Sequence, residues 1–300
     1  MQKFHVITGA GATASRTAML LAADGERVRL ISRKGAGPEH PLIERVAADA
    51  TDTPELTRLL EGADTLINCA APAYHLWPKE FPPLAGSLLA AVKRTGTRYV
   101  MLGNLYGYGL VDGPITPDLP LLAKGPKGRV RAAMWEEALA SGARVTEVRA
   151  AQFYGRDVVS EFSLLVQPQV LSGALALVPQ ELDVSHSYAA IGDVARTLVA
   201  ATRDDRVWGR AWHVPVTTLS VRALATRLAD VAGAPAPRLE PMTERDLALL
   251  AFTDPFWAEL GEVLHTPGLP YVVDYSETEE VLGVKASPVD EVLAEAVQAA

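Results

Sequence analysis

Cysteine is nearly absent from this chain of 300 residues. The single thiol, Cys69, excludes an intrachain disulfide framework and any zinc site built on several thiolates. The six histidines, at positions 5, 40, 75, 186, 213 and 265, never stand four apart, so no helix carries a paired-imidazole motif and no metal is expected. Long apolar runs are missing too: no uncharged stretch approaches the ~20 residues of a membrane span, and the first apolar segment runs into glycines rather than a signal-peptide cleavage site. Basic charge is not in excess. With 28 Lys+Arg against 36 Asp+Glu the formal charge is −8, and neither sign gathers into long runs, so neither nucleic acid nor a membrane is an expected partner. These absences predict a soluble cytoplasmic protein, long enough at ~150 residues per domain for one large or two closely packed domains.

What is present is an alternation. Short apolar runs suited to buried strands, at Phe4–Thr8, Val28–Ser32, Arg45–Ala48, Thr65–Cys69, Tyr99–Leu102 and Arg144–Arg149, are separated by segments of helical periodicity. Between the first two runs, Ala14, Ala18, Leu21 and Ala22 repeat at helical spacing, and Gly25 stands where a glycine ends a helix. The pattern predicts an α/β fold, a doubly wound parallel Rossmann-type sheet with a smaller C-terminal substrate lobe. After Tyr154, prolines at 168, 179, 215, 235, 237, 241, 255, 267 and 270 break the chain into shorter elements. The expected division is a dinucleotide domain over residues 1–155, to which 186–215 return, and a substrate lobe over 156–185 and 216–300. Ser220 is placed to cap a helix over Val221–Ala232. Ser287-Pro288 is placed to open the terminal helix, with Asp290 completing a capping-box-like start.

Thr8-Gly9-Ala10-Gly11-Ala12-Thr13-Ala14 follows the first strand and opens the first helix, a G-x-G-x-x-A in the context that gives the motif meaning. Small residues let the backbone approach a pyrophosphate, and the free N–H groups of a helix N-terminus favour its charge. Gly9, Gly11, Ala12, Thr13 and Ala14 are therefore the expected phosphate contacts; a tight turn without a ligand is the competing account. The end of the second strand decides which nucleotide. An acid there would bond the ribose hydroxyls, whereas this chain has Ser32-Arg33-Lys34, and Asp24 and Glu26 precede the strand at its wrong end. Ser32, Arg33 and Lys34, with Arg16 just inside the first helix, fit a 2′-phosphate, so NADP(H) is the expected cofactor. Solvated surface charge is the alternative for Arg33 and Lys34. Asp49, followed by Ala50, is placed either to accept from the adenine amino group or to cap the helix that begins near Pro54. Asn68-Cys69-Ala70-Ala71-Pro72 ends the fourth strand with small residues, as backbone beside a cofactor needs, which adds Ala70 and Ala71. Cys69 reads as a small buried apolar residue with no base to activate it.

These residues together resemble the extended branch of the short-chain dehydrogenase/reductase superfamily, the branch of NAD-dependent epimerases and dehydratases. The likeness runs through Thr8-Gly9-Ala10, Asp49 before Thr51-Asp52, Asn68-Cys69-Ala70-Ala71, Tyr108-Gly109, Val148-Arg149 leading to Phe153-Tyr154-Gly155, Gly192-Asp193-Val194-Ala195 and Leu282-Gly283. It places Tyr154 beside the nicotinamide. It also implies a Ser or Thr five residues before Gly109, where this chain has Asn104, and Y-x-x-x-K at the next long helix, where it has Lys127-Gly128-Arg129-Val130-Arg131. In the family's chemistry the lysine lowers the tyrosine's pKa so that it can exchange a proton with the substrate oxygen, while the cofactor carries hydride. Here that pair is absent, and residues 110–150 contain no tyrosine to restore it.

The replacements implied are Asn104 to hydrogen-bond a carbonyl or water, Arg131 to hold the nicotinamide ribose, Lys127 to supply charge, and Tyr106 as the substituted proton donor. His75, in Ala73-Tyr74-His75-Leu76-Trp77-Pro78, and His186, in Ser185-His186-Ser187-Tyr188, are the other candidates, since an imidazole can shuttle protons near neutral pH. Trp77, Phe256 and Trp257 can line an apolar pocket or simply pack in a core. The expected function is an NADP(H)-dependent oxidoreductase that moves hydride to or from a carbonyl or conjugated double bond of a small, partly apolar molecule. An NADP(H)-binding sensor without turnover, and a non-redox epimerase or isomerase with tightly held cofactor, are the alternatives. Homodimer pairing through long helices beside the fifth strand is what the resemblance implies for assembly.

Overall fold

The computed structural model describes residues 2–263 and 269–298, so His265 and Pro267 lie outside the described residues. Its strands are β1 (Phe4–Thr8), β2 (Arg27–Ser32), β3 (Ile43–Ala47), β4 (Thr65–Asn68), β5 (Arg98–Asn104), β6 (Val145–Ala150), β7 (Gln152–Tyr154), β8 (Leu175–Val178), β9 (Ser185–Ala190), β10 (Ala211–His213), β11 (Thr217–Ser220) and β12 (Arg238–Pro241). The helices are α1 (Ala12–Ala23), α2 (Thr53–Leu60), α3 (Trp77–Thr95), α4 (Pro126–Ala140), α5 (Gln167–Ser172), α6 (Ile191–Ala201), α7 (Val221–Ala232), α8 (Glu244–Ala251), α9 (Pro255–Ala258), α10 (Leu260–Val263), α11 (Ser276–Leu282) and α12 (Val289–Val297).

A seven-stranded sheet in the order β10-β6-β5-β4-β1-β2-β3 has every pair parallel. This is the doubly wound arrangement that the alternation of strands and helices predicts. Neighbouring residues of each strand face opposite ways, so the sheet divides its apolar side chains between two cores. Ile7, Leu30, Ile67, Val100 and Val148 pack with Ala14, Ala18 and Leu21 of α1 and Val194 and Leu198 of α6. Val6, Ile31, Leu66, Tyr99 and Met101 pack with Leu56 and Leu59 of α2, Phe81, Leu84 and Leu88 of α3, and Met134 and Trp135 of α4. Each such leucine, fully buried, contributes about 2 kcal/mol, and the two-sided burial explains why these strands read as continuous apolar runs.

The second half carries a three-stranded sheet, β11-β9-β7, and a two-stranded one, β12-β8. A third core gathers Tyr154, Phe162, Val166, Tyr188, Leu224, Leu228 and Leu293. Ser220 caps α7 as its position predicts, its hydroxyl accepting from the Ala223 N–H at 3.2 Å. The terminal helix differs from expectation. Pro288 stands at its N-cap without a side-chain cap, because Ser287 gives both its N–H and its hydroxyl to the buried Asp193 carboxylate, at 2.8 and 2.7 Å, while Asp290 pairs with Arg227. Burying Asp193 requires donors, and Ser287 is one of them, along with Arg196.

Candidate active site

The carboxyl ends of β1, β4, β5 and β6 meet on one edge of the sheet, where open parallel sheets bind ligands. Thr8 and Asn68 join β1 to β4 there, with the Thr8 hydroxyl 2.7 Å from Asn68 Oδ1. The glycines of the first loop have separate reasons. Gly9 has φ +103°, and a Cβ on it would lie 2.9 Å from the backbone of Cys69 and Ala70, so the fold itself demands glycine. A Cβ on Gly11 would meet nothing within 4 Å, so no neighbour in the protein requires its smallness. Gly11 is also the N-cap of α1, with no side-chain cap and no acid in the first turn. The leading N–H groups of α1 thus face open space without a competing carboxylate, and a pyrophosphate fits that cradle.

Farther along the edge, Arg33 and Lys34 are exposed just past β2, while Ser32 accepts the Ala36 N–H at 2.9 Å and closes the turn. The Asp49 carboxylate accepts from the Thr51 N–H at 2.9 Å and its hydroxyl at 2.8 Å. Those bonds, with Arg33 adding a smaller pull, hold its pKa below the usual carboxylate range. Asp49 does not cap α2. Asp52 does, accepting the Glu55 N–H at 3.1 Å, because it stands directly before the first helical residue. Arg16 turns toward α12, where Glu295 lies 3.5 Å from its guanidinium, rather than toward a phosphate alone.

A cleft of about 320 Å³ opens between this edge and the second half. Thr13, Ala70, Ala71, Asn104, Tyr106, Arg131 and His186 of the expected site residues line it, and Tyr74, Trp77, Phe153, Phe256 and Tyr271 give it an aromatic wall. Asn104 accepts the Tyr106 N–H at 3.2 Å through Oδ1, which leaves its amide donors for a ligand. The Tyr74 hydroxyl donates to that of Tyr106 at 3.0 Å. Burial pushes both phenols above the ordinary tyrosine range, so Tyr106, the expected donor, holds its proton more tightly than a tyrosine in water. Burial lowers His186 and so keeps it neutral. It pushes the Cys69 thiol up to about 12, consistent with an inert residue.

Lys127 and Arg131 lie one turn apart on α4, and both are buried. Arg131 Nη2 donates to the Leu102 carbonyl at 2.7 Å and sits 3.3 Å from Glu147 Oε1. Its Nε is buried without a partner among the described residues, and the residue forms part of the cleft lining. Glu147 holds Arg149 Nε with its other oxygen at 2.7 Å, Arg149 donates to the Tyr108 hydroxyl at 2.6 Å, and that hydroxyl donates to His213 Nε2 at 2.8 Å. His213 Nδ1 donates to the Asp274 carbonyl, also at 2.8 Å. Space for Glu147 comes from Gly103 on β5, where a Cβ would overlap the carboxylate. Lys127 does not reach the cleft. Its ammonium is held by Glu259 and Glu262, lies 4.9 Å from the centre of the Tyr74 ring, and the Glu262 carboxylate also takes its N–H at 2.6 Å.

Other expectations fail on direction. His75 sits in the short turn Tyr74–Leu76 and is exposed, outside the cleft, because the turn aims Tyr74 inward instead. Tyr154 is fully buried in the third core, its hydroxyl 3.2 Å from that of Thr217, and does not line the cleft, whereas Gln152 and Phe153 do. Trp257 packs on Phe256, ring centres 4.8 Å apart, without lining the cleft. The sequence reading missed Glu161, which lines the cleft and whose carboxylate accepts from Gln152 Nε2. One signal for it was present: Glu161 is the sole charged residue between Asp157 and Glu181. It also missed Glu147, Glu259 and Glu262, for which spacing carried no signal. Among the described residues, no group of three or more His, Cys, Asp or Glu is placed to hold a metal ion.

The sequence profile of the NAD dependent epimerase/dehydratase family matches residues 5–214, a span that contains the seven-stranded sheet except for its first residue, Phe4. No curated protein is a significant match. Among solved structures, the enzyme WbmH of Bordetella bronchiseptica in complex with NAD+ superposes with a TM-score of 0.79 at 19% identity, over 100% of this chain and 98% of that one. UDP-glucose 4-epimerase of Thermotoga maritima with UDP-glucose gives 0.79 at 16%, over 99% and 98%. The dTDP-glucose 4,6-dehydratase DesIV of Streptomyces venezuelae, with NAD and TYD bound, gives 0.77 at 20%, over 98% and 96%. Likeness at such low identity establishes the fold.

Proposed function

The chain belongs to the NAD dependent epimerase/dehydratase family, and on that premise we propose that it is an NADP(H)-dependent oxidoreductase acting on a carbonyl or conjugated double bond of a small, largely apolar molecule. One observation carries the substrate class. Among the described residues, the cleft lining holds a single cation, Arg131, already committed to Glu147 and the Leu102 carbonyl, and a single carboxylate, Glu161, within an aromatic wall. A nucleoside diphosphate such as the Thermotoga structure carries needs uncommitted Arg or Lys donors. Glu259 and Glu262 beside the cleft make this one less hospitable still to a diphosphate.

A nicotinamide nucleotide supplies hydride when bound. Gly9, Gly11 and the start of α1 hold its pyrophosphate, Arg33 and Lys34 favour a 2′-phosphate over the bare ribose, and Arg131 adds its positive charge to the cleft wall. Asn104 orients the substrate oxygen through its amide donors. Tyr74, Trp77 and Phe256 exclude water from the apolar part of the substrate. The partners on this reading are a small molecule and a second copy of the chain. Among the described residues no helix is long and apolar enough to cross a membrane.

A sensor without turnover is favoured by a different observation, the burial of Lys127 at the position where the resemblance implies the catalytic tyrosine. Fluorescence titration with NADPH and NADH, then a screen for NADPH oxidation over carbonyl and enone substrates, separates the two. Arg33→Asp weakens NADPH by about 10-fold or more, the worth of one charge-assisted phosphate contact, and leaves NADH nearly unchanged. Equal affinity of the parent for both nucleotides overturns the NADP(H) assignment. Tight NADPH binding with no turnover, together with an NADPH-dependent change in partner binding, replaces the enzyme by the sensor. Turnover without net NADPH consumption replaces it by an epimerase.

A further inference from the structure

Resting on the oxidoreductase reading, the proton partner of the hydride has still to be found among the side chains that line the cleft. Tyr74 and Tyr106 hydrogen-bond each other, and Lys127, the cation nearest them on α4, is turned to Glu259 and Glu262. Cys69 has no base beside it. The remaining acid–base groups on the described lining are Tyr271, whose phenol burial holds well above the ordinary range, His186 on β9, which burial keeps neutral, and Glu161.

We propose that Glu161 is the catalytic proton donor and acceptor of this cleft. Its placement supports the role in three ways. Glu161 is the single carboxylic residue among the described residues that line the cleft. Its carboxylate accepts from Gln152 Nε2 and from its own backbone N–H, and Gln152 Oε1 in turn accepts from Gln180 Nε2 at 3.3 Å, so the carboxyl is oriented on the cleft wall. Phe162–Val166, directly after it, form a π-helical turn, a local irregularity that re-aims the residues at a helix start and recurs at functional sites. Among the described residues no cation pairs with Glu161. The ionisable groups facing it are Tyr74 and Tyr106 from the sheet side, Tyr188 and His186 from β9, and beyond them Glu262. Burial among them raises the Glu161 pKa above the ordinary carboxyl value, so it keeps its proton to a higher pH than an exposed carboxyl does.

In the reducing direction, the O–H bond of the Glu161 carboxyl breaks and its electron pair stays on the carboxylate. A new O–H bond forms at the substrate oxygen as the carbonyl carbon accepts the hydride from the nicotinamide nucleotide, and the carbonyl becomes an alcohol. The carboxylate then recovers a proton from water at the mouth of the cleft. In the oxidising direction Glu161 accepts the alcohol's proton.

The test uses the full chain, its Glu161→Gln, Glu161→Asp and Tyr106→Phe variants, and two readouts. In infrared spectra without substrate, the parent shows a protonated-carboxyl band that persists above pH 5 and is missing in Glu161→Gln; absence of that band overturns the proposal whether or not a substrate is in hand. With NADPH and a turned-over carbonyl, Glu161→Gln loses about 100-fold or more in kcat while NADPH affinity stays within about threefold. Glu161→Asp recovers part of the rate, and Tyr106→Phe loses less of it than Glu161→Gln does. Turnover by Glu161→Gln within about threefold of the parent overturns the assignment. Failure of the parent to bind NADPH overturns the oxidoreductase reading instead, and the infrared band reports on Glu161 independently of it.

Discussion

Lys127 and Arg131 share one face of α4, one turn apart, and both are buried cations beside carboxylates. Their partners come from different halves of the chain. Arg131 is anchored within the sheet, by Glu147 of β6 and the Leu102 carbonyl of β5, and forms part of the cleft wall. Lys127 is anchored by Glu259 and Glu262, from the short helices α9 and α10 region of the second half, and contributes nothing to the cleft wall. The resemblance assigns these positions to one catalytic pair. Here the pair is divided in its work: the distal cation stays with the cofactor edge, and the proximal one fastens the segment that brings Phe256 over the cleft.

Glu147→Ala breaks the sheet side of this contrast and has the largest expected effect. It strands Arg131 and Arg149 as buried cations, which costs about 3–5 kcal/mol, read as a lower midpoint in urea unfolding; a loss under about 1 kcal/mol would show that the sheet does not need the carboxylate. His213, at the far end of the same network, sharpens the contrast through pH. Burial lowers its pKa from 6.5 to about 4, so the folded chain keeps it neutral. The stability this represents is complete above pH 6.5 and is lost as the pH falls from 6.5 through about 4, on the order of 3 kcal/mol in all. His213→Gln removes that part of the acid slope, and an unaltered slope in the stability of the variant between pH 7 and pH 4 would contradict it. Lys127→Met has the smallest effect, about 1–2 kcal/mol. Its partners Glu259 and Glu262 remain 29% and 17% exposed, so water can replace the ammonium. Hydrogen exchange should quicken about 10-fold over residues 255–262 and leave β1, β4 and β5 unchanged; equal quickening throughout would mean that both cations hold the same unit.

The sheet was legible because its signal is local. Each of the six strand runs and the loop at Gly9 and Gly11 is contiguous in sequence, and the register follows from burial on both faces. Ser220 was legible for the same reason. Ser32, Arg33 and Lys34 could be placed at the carboxyl edge of the sheet because they close or directly follow a strand. Direction was harder. Whether Tyr74 or His75 enters the cleft, or Tyr154 rather than Phe153, depends on a turn and a short strand whose orientation is set by packing. The carboxylates were hidden most completely. Glu259 and Glu262 reach Lys127 across more than a hundred residues, and Glu147 meets Arg131 only because Gly103 leaves room, a steric permission that no periodicity announces.

The lock between Lys127 and the two glutamates also constrains the ways this sequence can change. Replacing Lys127 by tyrosine in one step would leave two acids facing each other and a phenol with no cation among them, while Gly125 could not take a side chain because a Cβ there would overlap Glu262. Arg131→Lys alone would lose the forked hold on Glu147 and Leu102. Position 127 is thus entrenched: its residue is kept by what has been built upon it, and a route to the tyrosine–lysine pair passes through the glutamates first.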